Sequence, residues 1–171
     1  MAISRKKAIA RKLTLGPSAL NLPVQNWVAG YLPAGGFLRS GAVELLALDG
    51  KTLQIPASSL KWICFVRDFN SGEPANPERL LRKTLTGRPR TEGLLMRLHL
   101  ADGDLIEGLA ANDLSLVSGE GLFLTPPDIR SNTQRLWIPA TAIAKLEVLA
   151  VIGAAKRRPP QRPDQETLFK E

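Results

Sequence analysis

Carboxylates gather at one place in the chain, where Asp102, Asp104 and Glu107 surround an Asp102-Gly103 dipeptide. A divalent cation of the calcium type needs more oxygen ligands than these, held in a defined loop, and no EF-hand spacing is present. The single histidine, His99, falls on the polar side of an alternating stretch with no nucleophile beside it. The single cysteine, Cys64, lies in the apolar run Trp62-Ile-Cys-Phe-Val, where a thiol behaves as a small buried hydrophobe rather than a thiolate. One Cys with one His cannot build a zinc site or an internal disulfide. No phosphate-cradling glycine loop, dinucleotide fingerprint or nucleophile elbow occurs. The expectation is therefore a non-enzyme, with no catalytic residue, no metal and no cofactor.

Binding is better provided for. The stretch Leu124–Arg135 (LTPPDIRSNTQR) is long for a hairpin connection, and its entry is stiffened by two prolines. Arg130 and Arg135 flank Ser131, Asn132 and Gln134, residue types that contact phosphates, sugars and bases. Arg88 and Arg90 offer a second phosphate grip, or an anchor to the acidic half of the chain. Trp27, Trp62 and Trp137 are stacking platforms in one reading, but core or inter-unit packing is the favoured reading for all three, Trp62 and Trp137 lying within apolar strands. Near the C-terminus, Gln165, Leu168 and Phe169 match the Gln-x-x-Leu-Phe pattern, resembling peptides that dock replication and repair proteins on the bacterial sliding clamp.

Charge supports an anionic partner. The chain has 171 residues, 44% of them apolar, with a net charge of +7. Residues 1–12 hold Arg5, Lys6, Lys7, Arg11 and Lys12 without an acid, and Lys156, Arg157, Arg158 and Arg162 crowd the other end. Residues 91–155 are net acidic. Such basic ends attract phosphate backbones through counterion release, or simply keep the chain soluble. No apolar run is long enough to span a membrane, and the N-terminus lacks the apolar core of a secretory signal, so a cytoplasmic protein is expected.

The elements that must position these groups read as strands. Residues 1–21 form a basic arm with at most a short helix over 4–12; 22–69 a first small β-barrel; 70–91 a turn-rich linker; 92–153 a second barrel; 154–171 a disordered tail. Asp49-Gly50 marks a tight hairpin with both turn positions at positive φ, and Asp102-Gly103 or Gly103-Asp104 supplies the next tight turn. An internal repeat links the halves: Trp27-Val-Ala-Gly30 matches Leu105-Ile-Glu-Gly108, and Leu53-Gln-Ile-Pro56 matches Leu136-Trp-Ile-Pro139. Each Ile-Pro ends a strand, and each glycine marks a bend or bulge.

Met96–Gly103, with Gly108 five residues beyond the turn glycine and Asp113 further on, resembles the first motif of Sm-like (SH3-like) small β-barrels, and a fainter copy covers 27–66. The resemblance implies a mainly-β fold of two tandem barrels. Ile138-Pro139 replaces the Arg-Gly that helps Sm proteins hold RNA, and Ser115 stands where their base-binding Asn falls, so their uridine pocket is not carried over. Arg79-Leu-Leu-Arg82 with Asp113-Leu-Ser115 also resembles, with broken spacing, the signature of PilZ domains that bind cyclic di-guanylate. The Leu124–Arg135 stretch resembles one found in uncharacterised bacterial proteins. The expected function is a non-catalytic binding module, engaging nucleic acid (RNA) through the basic ends and the Arg130–Arg135 loop. The competing expectation is a protein-interaction adaptor or homo-oligomeric scaffold.

Overall fold

The computed structural model describes residues 5–12, 27–33, 36–69, 84–85, 89, 91–127 and 132–153. Arg88, Arg90, Arg130, Ser131, Gln165, Leu168 and Phe169, with Arg79 and Arg82, lie outside them. The fold is mainly β: the described residues hold eleven strands and three single-turn 3-10 segments.

A first unit comprises β1 (Arg5–Lys12), β2 (Trp27–Pro33), the short β3 (Leu38–Arg39), β4 (Ala42–Ala47), β5 (Thr52–Pro56), a 3-10 turn over Ala57–Ser59, and β6 (Leu60–Val66). A second comprises β7 (Gly93–Leu100), β8 (Leu105–Ala110), β9 (Gly121–Leu124), β10 (Thr133–Pro139), a 3-10 turn over Ala140–Ala142, and β11 (Ile143–Ile152). Antiparallel pairing runs β5-β4-β2-β1-β6 in the first and β10-β9-β8-β7-β11 in the second, the β8–β9 link being a Leu109–Thr125 bridge.

The repeat legible in the sequence therefore returns as an identical order of neighbours. It extends to detail. A Cβ on Gly30 would sit 2.4 Å from the Leu46 carbonyl oxygen, and one on Gly108 would sit 2.5 Å from that of Thr125. Only glycine lets β2 and β8 cross their neighbours this closely. In both units the register slips by one residue at the start of the last strand, leaving Lys61 and Ala144 as the equivalent bulged positions.

Residues 5–12 do not form a loose arm or a helix. Ala8, Ile9 and Ala10 are buried, and β1 lies between β2 and β6. The continuous apolar run Ala8-Ile9-Ala10 suits a strand covered on both faces, which outweighs the run of flanking cations. The two units also share a sheet, because β6 pairs with β10. Around that seam the tryptophans are exchanged. Trp62 of the first unit packs with Met96, Leu98 and Leu124 of the second, while Trp137 of the second packs with Val43, Leu45 and Ile63 of the first. Cys64 is buried in the seam.

The Asp-Gly turns differ from expectation. Gly50 and Gly103 have positive φ, but among the described residues Ser40 is the only non-glycine that does. Gly50 N–H donates to the Ala47 carbonyl, and Ala47 N–H to the Lys51 carbonyl, with Gly103, Leu100 and Asp104 arranged alike. These are three-residue hairpins with a glycine bulge; Asp49 and Asp102 instead accept backbone N–H groups two residues on. The two-residue turn with both positions at positive φ is Ser40-Gly41, between β3 and β4.

Candidate nucleic-acid interface

Where β6 meets β10, the face of the shared sheet that continues the first unit's core opens into a groove of about 600 Å³. Strand alternation builds it. Ala8 pairs with Phe65, Phe65 with Arg135, and Trp137 with Phe123, so β1, β6, β10 and β9 present these side chains in sequence across one face. Lys6, two residues before Ala8 on β1, lines the same groove. Phe37, from the turn before β3, meets Phe65, Phe123 and Trp137 edge to face at ring separations of 5.8, 6.1 and 5.2 Å. Trp137 is buried beneath this cluster, while the three phenylalanines stay partly open.

The cations are set at the rim. The Arg135 guanidinium lies 4.1 Å from the Phe123 ring centroid, a cation–π stack that holds a planar donor fork in place. The β6–β10 register slips between Thr133 and Arg135, which makes Gln134 a bulged residue. That bulge turns Gln134 into the groove beside Arg135 rather than onto the opposite face. Both side chains are exposed. The result is a concave apolar floor with a fixed guanidinium, an ammonium and an amide: stacking surface in the middle, phosphate-seeking donors at the edge.

Asn132, expected among the binding residues, is occupied otherwise. Its Oδ1 accepts from Asp68 N–H at 3.0 Å, its Nδ2 donates to the Asp68 carbonyl at 2.6 Å, and its own carbonyl accepts from Arg67 N–H. It clips the end of β6 to the start of β10. Gln134 and Arg135 are brought together; Arg130 and Ser131, with Arg88 and Arg90, fall outside the described residues. In the sequence alone Lys6 reads only as part of a charged end, and Phe37, Phe65 and Phe123 go unmarked. The signal available was alternation: Phe123 lies between buried Leu122 and Leu124, and so had to face the other way.

The remaining titratable clusters are ion-paired. Asp102 and Asp104 both hold Lys61, whose ammonium is 2.5 Å from Asp102 and whose side chain is 1% exposed. The bulge at Lys61 aims a first-unit cation at the β7–β8 turn of the second. Glu107 accepts from Arg97 Nε and Nη2 at 2.9 and 2.7 Å, and from Leu85 N–H at 2.9 Å. The Leu85 N–H and then Arg97 hold its carboxyl below the usual glutamate range against the opposing effect of burial. The linker is thus moored through a backbone amide. Lys145 and His99, at 2.5 and 3.4 Å, likewise lower the pKa of Glu147. Among the described residues no group of His, Cys, Asp or Glu is arranged to hold a metal ion, and no helix is long and apolar enough to cross a membrane.

Fold and groove together define a mainly-β protein of two like units sharing one sheet, with an aromatic, cation-rimmed groove at their seam. The chain belongs to a family of unknown function (DUF6982), whose model matches residues 21–150, from before β2 into β11. Neither curated proteins nor solved structures contain a match to the chain.

Proposed function

We propose that this protein is a non-catalytic, cytoplasmic nucleic-acid-binding module that takes single-stranded RNA in the groove between β1, β6, β10 and β9. The observation that carries this reading is the Phe37–Phe65–Phe123 floor with Arg135 stacked over Phe123 and Lys6 opposite. Single strands are held by aromatic side chains on which bases stack and by cations that follow the backbone; a duplex hides its bases from such a floor. The same order of five neighbouring strands in each unit, with a 3-10 turn before the last, supports the Sm-like resemblance. The ligand surface differs from the Sm uridine pocket, whose residues this chain lacks. The basic ends, with Arg88, Arg90, Arg130 and Ser131, would extend the electrostatic footprint.

Fluorescence polarisation of labelled single-stranded RNA, single-stranded DNA and duplex DNA, at two salt concentrations, tests this reading. Preference for a single strand, with affinity falling steeply as salt rises, is the expected result. Equal binding to all three, lost together on adding salt, would reduce it to generic charge. The adaptor reading, including clamp docking through Gln165, Leu168 and Phe169, would then be pursued by pull-down with immobilised clamp.

A further inference from the structure

The last strands of the two units are equivalent in sequence, in their partner within the unit and in the bulge at their start, with β11 carrying a second slip at Leu149 just beyond Val148, but their outer edges differ in environment. On β6, Ile63 is fully buried and Phe65 half-buried, because β10 pairs alongside and Trp137 and Phe123 close over them. On β11, the equivalent Leu146 and Val148 are 43% and 53% exposed, with Leu149 and Val151 also open. Among the described residues β11 pairs with β7 alone, so its other edge carries unpaired backbone groups over a ten-residue strand. Exposed edges are normally blunted by proline or by net charge. Here β11 has no proline, and its two charges, Lys145 and Glu147, neutralise each other.

We propose that β11 is the interface for a second copy of this chain, the two β11 strands pairing antiparallel about a two-fold axis at Leu146. The register follows from charge. An axis at Leu146 sets Lys145 opposite Glu147 of the second copy, Leu146 opposite Leu146, and Ala144 opposite Val148. An axis at Lys145 or at Glu147 would oppose like charges, and one at Val148 would set both charges against apolar residues. Head-to-tail addition, repeating the β6–β10 seam between molecules, would bring β5 of the next copy against β11. The residues of that edge equivalent to Phe123 and Trp137 are Glu44 and Gln54, which cannot cap Leu146 and Val148 as the aromatics cap Ile63 and Phe65. The apolar edge therefore suits itself better than it suits the opposite end of the chain, and the symmetric contact closes at two copies.

The test is the mass of the full chain in solution by light scattering across a dilution series, with Val148→Lys and Leu146→Cys. The expected result is a species of twice the 18.6 kDa chain mass, which Val148→Lys converts to single chains with an unchanged circular dichroism spectrum. Leu146→Cys is predicted to cross-link quantitatively into dimers on mild oxidation, since directly opposed strand residues lie within disulfide reach and the native Cys64 is buried. Single chains at every concentration would overturn the proposal, and so would a dimer that Val148→Lys leaves intact. Single chains that become dimers only on removal of residues 154–171 would also overturn it, by making the tail the occupant of this edge. None of these outcomes depends on whether nucleic acid binds the groove.

Discussion

Lys61 is where the seam is most exposed to a single substitution. Its side chain is 1% exposed and faces two carboxylates whose own side chains are 14% and 34% exposed, so Lys61→Met removes one buried cation and leaves two anions with less solvent than they need. Breaking a buried pair from one side costs about 3–5 kcal/mol, and partial solvation of the carboxylates discounts this to roughly 2–4 kcal/mol. For a chain of this size that corresponds to a fall in Tm of about 5–15 °C. Urea unfolding followed by circular dichroism reads the loss directly. The triple variant Lys61→Met/Asp102→Asn/Asp104→Asn removes all three charges and is expected to recover most of the stability, because a charge-free seam no longer strands an anion. A loss below about 0.5 kcal/mol for Lys61→Met would refute the reasoning, since that is the behaviour of a solvated surface pair.

Gly108→Ala would drive a Cβ to 2.5 Å from the Thr125 carbonyl oxygen and 2.6 Å from Leu124 Cγ, so a loss of about 1–3 kcal/mol is expected in the same assay, with Gly30→Ala behaving alike. The lowered pKa of Glu107 gives stability that is complete above the unfolded-state value of about 4.5 and is lost as pH falls below it toward the folded value. Unfolding free energies measured from pH 7 down to pH 3 should therefore show a shallower acid limb in Glu107→Gln than in the wild-type chain.

The parts of the fold legible in the sequence were those written in local pattern. Alternation in Met96–Leu100, the repeated Ile-Pro strand ends and the matched Gly30 and Gly108 anticipated a mainly-β chain with an internal repeat. Trp62 and Trp137 read correctly as packing residues because each sits in an apolar strand. What failed had long-range causes. The segment 5–12 looks like a charged arm until β2 and β6 are placed on either side of it, for only then does Ala-Ile-Ala become a buried strand centre. The groove was invisible for a similar reason. Lys6, Phe65, Phe123 and Arg135 come from four strands far apart in sequence, and the bulge that turns Gln134 beside Arg135 depends on the β6–β10 register. Asn132 had the composition of a ligand-binding residue, yet its partner is the Asp68 backbone, 64 positions away in sequence.

The most direct test of the groove compares single-stranded RNA binding by the full chain with that of Lys6→Ala/Arg135→Ala, both exposed positions whose truncation leaves the core untouched. Affinity is expected to fall by about tenfold or more, from the loss of charge-assisted contacts. The salt dependence is expected to be shallower by about 1.4 in the slope of log K against log salt, for two lost phosphate contacts. Unchanged affinity and slope in the doubly substituted protein would contradict the account and move any nucleic-acid binding elsewhere on the chain.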